Sequence, residues 1–287
     1  MKTLSKTILA TAISAIAVLG SGSANATLAN GIIDQWTVNV ATVFNTTTIC
    51  DSNNDCTQPN GITVVNNQSL RWGTPATAGG QSGLDITGSP ANGNVFTNGA
   101  AVPNISITHL NQPITGTTLR SVDIVSTLIL TPFDPAAAGL PATPITFPVH
   151  FLETPNGANP CANGGANNVG VNSNGCGDIY VTDQDSLNFS FSYDLDGLDG
   201  PLQNQQYFIS FFESTTGLNS LSPAACAAVG QPFPCLGFVT PEGANTTVQF
   251  ASLITTERVV INVPEPGILG LFGLAIAGLG LSLRRKA

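Results

Sequence analysis

The sequence predicts an all-β protein: an antiparallel β-sandwich of jelly-roll or immunoglobulin-like type, followed by one C-terminal transmembrane helix. Two observations predict the sandwich. Apolar residues recur with a period of two, the spacing that places alternate side chains on one face of a strand. The chain also carries 30 Gly and 19 Pro, spread throughout, which leaves little room for long helices. The helix follows from a third observation, an uncharged apolar run from Gly267 to Leu283.

Two runs show the alternation best. Trp36, Val38, Val40 and Phe44 interleave with Gln35, Thr37, Asn39 and Asn45, and Leu187, Phe189, Phe191 and Tyr193 with Ser186, Asn188, Ser190 and Ser192. Further strands are predicted at Asn104–Leu110, Leu119–Leu130, Ile145–Leu152, Tyr207–Phe212, Thr246–Leu253 and Arg258–Val263. The stretches Gly73–Gly99, Pro155–Gly177 and Gly217–Pro234 read as turn-rich, with a short helix around Pro223–Val229. About eight to ten strands with one apolar face each suggest two packed layers. No repeat of fixed period marks a solenoid or propeller.

The ends divide the chain into residues 1–26, 27–262 and 263–287. Lys2 and Lys6, the apolar stretch Ile8 to Leu19, and the small-x-small site Ala24-Asn25-Ala26 read as a secretory signal peptide, cleaved before Thr27. Export machinery of the Sec type and signal peptidase are the implied partners. Residues 267–283 span about 25 Å as a helix, slightly less than a bilayer core. Arg284, Arg285 and Lys286 follow; they can snorkel to the headgroups and hold the C-terminus in the cytoplasm.

About 235 residues remain as an exported body, enough to bury a core. Its basic residues are Arg71, Arg120 and Arg258, while nearly all of the chain's 17 acids lie in it. Neutralising phosphates needs clusters of Lys and Arg, so nucleic acid is excluded as a partner. The acidic, sparsely charged surface suits solubility and contact with cations or neutral glycans. Six cysteines fall into three local pairs, Cys50 with Cys56, Cys161 with Cys176, and Cys226 with Cys235. In an exported chain they read as disulfides, and nearest-neighbour pairing is the expectation among the 15 possible connectivities.

Immediately before the apolar span stands Val263-Pro264-Glu265-Pro266. Proline fixes φ and restricts the residue before it, so this is a stiff, extended segment carrying one charge. The order Val-Pro-Glu-Pro, apolar span, Arg-Arg-Lys, end of chain resembles the PEP-CTERM sorting signal of Gram-negative bacteria. The resemblance implies processing by exosortase, a membrane-embedded cysteine transpeptidase-like enzyme. It further implies transient residence in the inner membrane, then a place at the cell surface or in an extracellular polysaccharide matrix.

The body's two histidines are His109 and His150. Thr108-His109-Leu110-Asn111 resembles the motif of the THxN family of PEP-CTERM proteins, through Thr108, His109 and Asn111; no activity comes with that resemblance. On a strand, His109 and Asn111 share a face with Ile105 and Ile107, and Thr108 shares the other with Leu110. The expectation is a structural, hydrogen-bonded histidine at a strand end, with Asn111 helping to close the turn before Pro113; ligand or metal binding and catalysis are the alternatives. His150 alternates with Val149 and Phe151 and reads as a surface histidine pointing away from Glu153.

Asp194, Asp196 and Asp199 in Asp-Leu-Asp-Gly-Leu-Asp-Gly offer oxygens to Ca²⁺ as an alternative to a solvated acidic turn, though Leu198 and Asp199 break the EF-hand pattern. Asp51-Ser52-Asn53-Asn54-Asp55 meets three positions of that pattern, and Cys56 replaces its glycine. No other cofactor is implied. The chain lacks a G-x-S-x-G elbow, H-E-x-x-H, a Walker loop and G-x-G-x-x-G. The expected role is therefore non-enzymatic: structural, adhesive or matrix-associated. The alternatives are a secreted polysaccharide-acting enzyme and a Ca-dependent glycan-binding module.

Overall fold

The computed structural model describes residues 31–182, 188–195, 204–215 and 217–259. Within them the chain runs through β1 (Gln35–Asp51), β2 (Ile62–Asn66), β3 (Ser69–Trp72), β4 (Thr74–Pro75), β5 (Ser82–Thr87), β6 (Ala91–Phe96), β7 (Val102–Leu110) and β8 (Ile114–Thr115). It continues through β9 (Leu119–Asp134), β10 (Thr143–Leu152), β11 (Asp178–Thr182), β12 (Asn188–Tyr193), β13 (Gln205–Glu213), β14 (Asn219–Ser220), the helix α1 (Pro223–Ala228), β15 (Leu236–Thr240) and β16 (Asn245–Thr255).

The strands form two seven-stranded sheets, ordered β14-β15-β11-β10-β9-β1-β6 and β12-β13-β16-β7-β5-β3-β2, with β4 and β8 as a separate pair. Neighbouring strands run antiparallel. The buried faces of the two sheets share their cores. Phe44, Val122, Ile124, Val149 and Phe151 of the first sheet pack with Leu70, Trp72, Leu84, Ile107 and Val248 of the second. At the other end Trp36 meets Phe191, Tyr193 and Tyr207 edge-on, with ring centroids 5.2–5.4 Å apart. Such contacts add to the large apolar area each ring buries.

The period-two readings at Gln35–Asn45 and Asn104–Leu110 fall on β1 and β7 with the predicted faces inward. Strands β9, β10, β13 and β16 cover the predicted runs at Leu119–Leu130, Ile145–Leu152, Tyr207–Phe212 and Thr246–Leu253 and extend them by up to four residues, β12 covers Asn188–Tyr193, and Arg258 and Val259 of the last predicted run are not in a strand. The predicted helix is α1. Ser222 caps its start, its hydroxyl accepting from Ala225 N at 3.1 Å. Gly230, at φ +75°, ends it in a Schellman-type turn, with Gly230 N donating to Ala227 O and Gln231 N to Cys226 O.

The described strands outnumber the eight to ten expected, and the turn-rich reading of Gly73–Gly99 is corrected: β5 and β6 lie inside it. Strand β6 is an edge strand of sequence Ala-Asn-Gly-Asn-Val-Phe with Val95 as its buried residue; Asn92 and Asn94 accept hydrogen bonds from Asn39 and Thr37 of β1, so the ladder more than an apolar stripe makes it a strand. Strand β11 is buried on both faces and therefore shows no alternation. One face of β11 meets the inter-sheet core. Ile179 and Val181 on the other are covered by α1 and the Cys226–Cys235 disulfide. Beside it, β15 needs Gly237, because a Cβ there would stand 1.9 Å from Tyr180 O.

Disulfides join Cys50 to Cys56, Cys161 to Cys176 and Cys226 to Cys235. The signal region with Ala24 and Ala26, Leu187, most of the Arg258–Val263 run and the C-terminal span lie outside the described residues. Among the described residues no helix is long and apolar enough to cross a membrane.

Candidate functional site

The Thr108-His109-Leu110-Asn111 segment sits at one end of the sandwich, where strand ends from both sheets meet. Thr108 faces outward and shares a hydrogen bond with Thr247 of β16, Oγ1 to Oγ1 at 2.9 Å. His109 and Asn111 point into the core, and both are fully buried. Around them stand Trp72 at the end of β3, Glu153 just after β10, Asp178 at the start of β11, Thr240 at the end of β15, and Glu242 in the turn to β16.

The His109 ring is stacked near-parallel to Trp72, 11° between planes and 6.0 Å between centroids, and meets Phe151 edge-on at 4.8 Å. Neither ring nitrogen has a hydrogen-bond partner, and Nε2 lies 3.8 Å from Asp178 Oδ2, too far for a direct hydrogen bond. The expectation of a hydrogen-bonded structural histidine is thus corrected: apolar rings hold His109 while its polar atoms stay unengaged. Burial keeps the imidazole neutral, pushing its pKa down to about 3.

Asn111 does not close the turn at Pro113. Its Nδ2 donates to Thr240 O at 3.0 Å, tying the end of β7 in one sheet to the end of β15 in the other. Its Oδ1 is without a partner, as is Thr240 Oγ1, and both residues have no exposed surface.

Three carboxyl groups complete the cluster. Asp178 Oδ1 accepts from Thr154 N at 2.8 Å, and Thr154 is itself anchored by its hydroxyl on Cys176 O at 2.8 Å. Glu153 Oε2 accepts from Trp72 Nε1 at 2.9 Å. Burial raises Glu153 above the usual carboxylate range, and the charge of Glu242 adds to it against the indole hydrogen bond. Asp178 is raised well above its ordinary value by burial first and by Glu153 second. The two carboxyls therefore titrate as a pair, the charge of Glu153 adding to the burial that raises Asp178. Glu242 is raised by burial too.

Chemically, this is a buried set of a neutral imidazole, three carboxyls raised above their ordinary values, an amide carbonyl and a hydroxyl, all drawn together from distant sequence. Among the described residues no three His, Cys, Asp or Glu side chains are grouped so as to hold a metal ion. The sequence picked out His109 and Asn111. It missed Trp72, Glu153, Asp178, Thr240 and Glu242, which carry no spacing signal because each comes from a different strand end.

The other candidates stay apart from this cluster. His150 is half-buried on β10 and Glu153 lies beyond the strand end, in the inner cluster. Asp51 is not a cation site: its carboxylate accepts the backbone N–H groups of Asn53 at 2.8 Å, Asp55 at 3.1 Å and Asn60 at 3.1 Å, and so organises the Cys50–Cys56 loop. Asp194 directly follows β12, and Asp196 and Asp199 lie outside the described residues. Val263, Pro264, Glu265, Pro266, Arg284, Arg285 and Lys286 lie outside them as well.

A comparison with curated proteins finds no match for the chain. A scan against protein families matches residues 262–286 to the PEP-CTERM protein-sorting motif. The chain therefore carries, on an all-β body, the signal that marks an exported protein for exosortase and for transit to the cell envelope or surface.

Proposed function

We propose that this chain is a THxN-type PEP-CTERM protein whose disulfide-pinned sandwich serves a structural or adhesive role at the envelope or in an extracellular polysaccharide matrix, without enzymatic turnover. A cleaved signal peptide takes it through the Sec route, residues 267–283 hold it in the inner membrane with the basic tail in the cytoplasm, and exosortase releases or transfers it. The observation that carries this reading is the sorting motif at residues 262–286. A body with three arginines and no lysine, and a His109 motif sealed inside it, supports it.

Mass spectrometry of the mature protein from its host, compared with a strain lacking exosortase, tests the reading. The mature chain ends near Pro264–Pro266 in the first strain and keeps Leu283 and the terminal arginines in the second. Retention of the tail in both leaves an ordinary tethered protein.

A polysaccharide-acting enzyme is the second reading, favoured by the paired acids Glu153 and Asp178 beside His109. Depolymerisation assays on wild type and His109→Ala separate the two. Activity in wild type that is lost in the variant establishes the enzyme; no activity in either leaves the structural role.

A further inference from the structure

The atoms left without partners at the closed end of the sandwich are not a random set. Thr240 Oγ1 is a hydroxyl, Asn111 Oδ1 is the oxygen of a primary amide, and His109 presents a neutral imidazole. Three contacts bring them together. Asn111 Nδ2 already rests on the carbonyl of Thr240 at 3.0 Å. Asp178 and Thr240 are direct cross-strand partners, on the same face of neighbouring strands. Asp178 Oδ2 reaches to 3.8 Å from His109 Nε2. All four residues are fully buried, so water does not compete. Among them are parts that acyl transfer uses: a hydroxyl nucleophile, an acyl carbon with a leaving group, and a neutral imidazole as base.

We infer that this end of the sandwich is the site of a self-made covalent link, an ester between the Thr240 hydroxyl and the side-chain carbonyl carbon of Asn111, formed with His109 as base. In the step, His109 takes the Thr240 hydroxyl proton as Oγ1 attacks Asn111 Cγ. The Oγ1–Cγ bond forms, and negative charge develops on Oδ1 in the tetrahedral intermediate. The Cγ–Nδ2 bond then breaks, and the proton held by His109 leaves with the nitrogen as ammonia. One hydroxyl and one amide become one ester and one ammonia, so no oxidant or outside reactant is needed. The link joins β7 of one sheet to β15 of the other, and the geometry described above is that of the unlinked chain. A tie across the layers fits a protein that bears load outside the cell, but the inference rests on the cluster and stands apart from the sorting assignment.

Intact-mass measurement on the full chain, expressed with export so that its disulfides form, tests the link. Wild type is lighter than the disulfide-bonded sequence by the mass of one ammonia, and fragmentation of a protease digest joins the peptide holding Asn111 to the peptide holding Thr240. Thr240→Val and His109→Gln, each checked for a cooperative melt, keep the ammonia. A folded wild type at the full sequence mass overturns the proposal. So does an ammonia loss traced to a succinimide at Asn111 with Thr240 free. Ammonia loss that persists in folded Thr240→Val removes the nucleophile, and with it the link.

Discussion

The Nε2 atom of His109 and the Oδ2 atom of Asp178 lie 3.8 Å apart, fully buried, on strands of opposite sheets. Their titrations run in opposite directions, which gives the fold a pH dependence with a definite sign. Asp178 and its partner Glu153 hold protons more tightly folded than unfolded. Their contribution is present below the unfolded carboxyl values near 4 and is lost as pH rises through the folded values. His109 is depressed to about 3, so its contribution is present above its unfolded value near 6.5 and lost as pH falls towards 3. As pH rises past about 6.5 the histidine becomes neutral in both states, and the raised carboxyls of Asp178, Glu153 and Glu242 set the slope. Thermal melts from about pH 6.5 to 9 show a falling midpoint in wild type and a flatter curve in Asp178→Asn. A wild-type midpoint that stays level across that range shows that the buried carboxyls are not raised.

Trp72 holds both halves of the cluster, since its ring lies along His109 and its indole N–H donates to Glu153. Trp72→Phe keeps an aromatic ring but leaves a buried carboxyl oxygen without its donor, at a cost of about 1–3 kcal/mol. Trp72→Ala also removes the ring from the core and costs about 3–5 kcal/mol. Chemical denaturation of the three proteins checks the order. A Trp72→Phe protein as stable as wild type shows that the indole hydrogen bond contributes nothing.

How much of this was legible beforehand depends on periodicity. Strands β1 and β7 have one wet face and one dry face, so Trp36–Phe44 and Ile105–His109 announce themselves. Strand β11 does not, because α1 covers its second face, and β6 is held by amide pairing that no apolar pattern records. The inward direction of His109 and Asn111 followed from the same period-two rule. What the rule cannot see is which strand end arrives opposite. Asp178 and Thr240 are neighbours only because β11 and β15 pair, and Glu153 joins them through the β10–β11 ladder. The sorting motif is the opposite case: its residues are contiguous, so sequence alone carries it.

The Cys161–Cys176 disulfide closes the loop that leads from Glu153 to Asp178, with a sequence separation of 15. Constraining a loop of that length is worth about 3 kcal/mol, and the six-residue separation of Cys50–Cys56 is worth less. The double variant Cys161→Ala, Cys176→Ala therefore loses more stability than Cys50→Ala, Cys56→Ala. It also loosens the anchor of Thr154 on Cys176 O, so exchange protection at the Thr154 amide falls before that of β1. Equal stability losses in the two double variants place the strength of the fold elsewhere.

Delivery and folding are separable in this chain, because the sorting residues and the buried cluster share no atoms in sequence. Proline at 264 and 266 restricts the backbone on both sides of Glu265, and that restriction is what an enzyme cleft reading an extended peptide requires. Replacing Glu265 with Ala removes the single charge of the segment, and replacing both prolines with Ala removes its stiffness. Both variants are expected to melt as wild type does while remaining unprocessed in the membrane fraction of the host. His109→Ala gives the reverse: a weaker body, cut and delivered normally. Immunoblots of membrane and surface fractions with tags on either side of residues 263–266 read both outcomes, and a Glu265→Ala chain delivered as efficiently as wild type shows that the carboxylate plays no part in recognition.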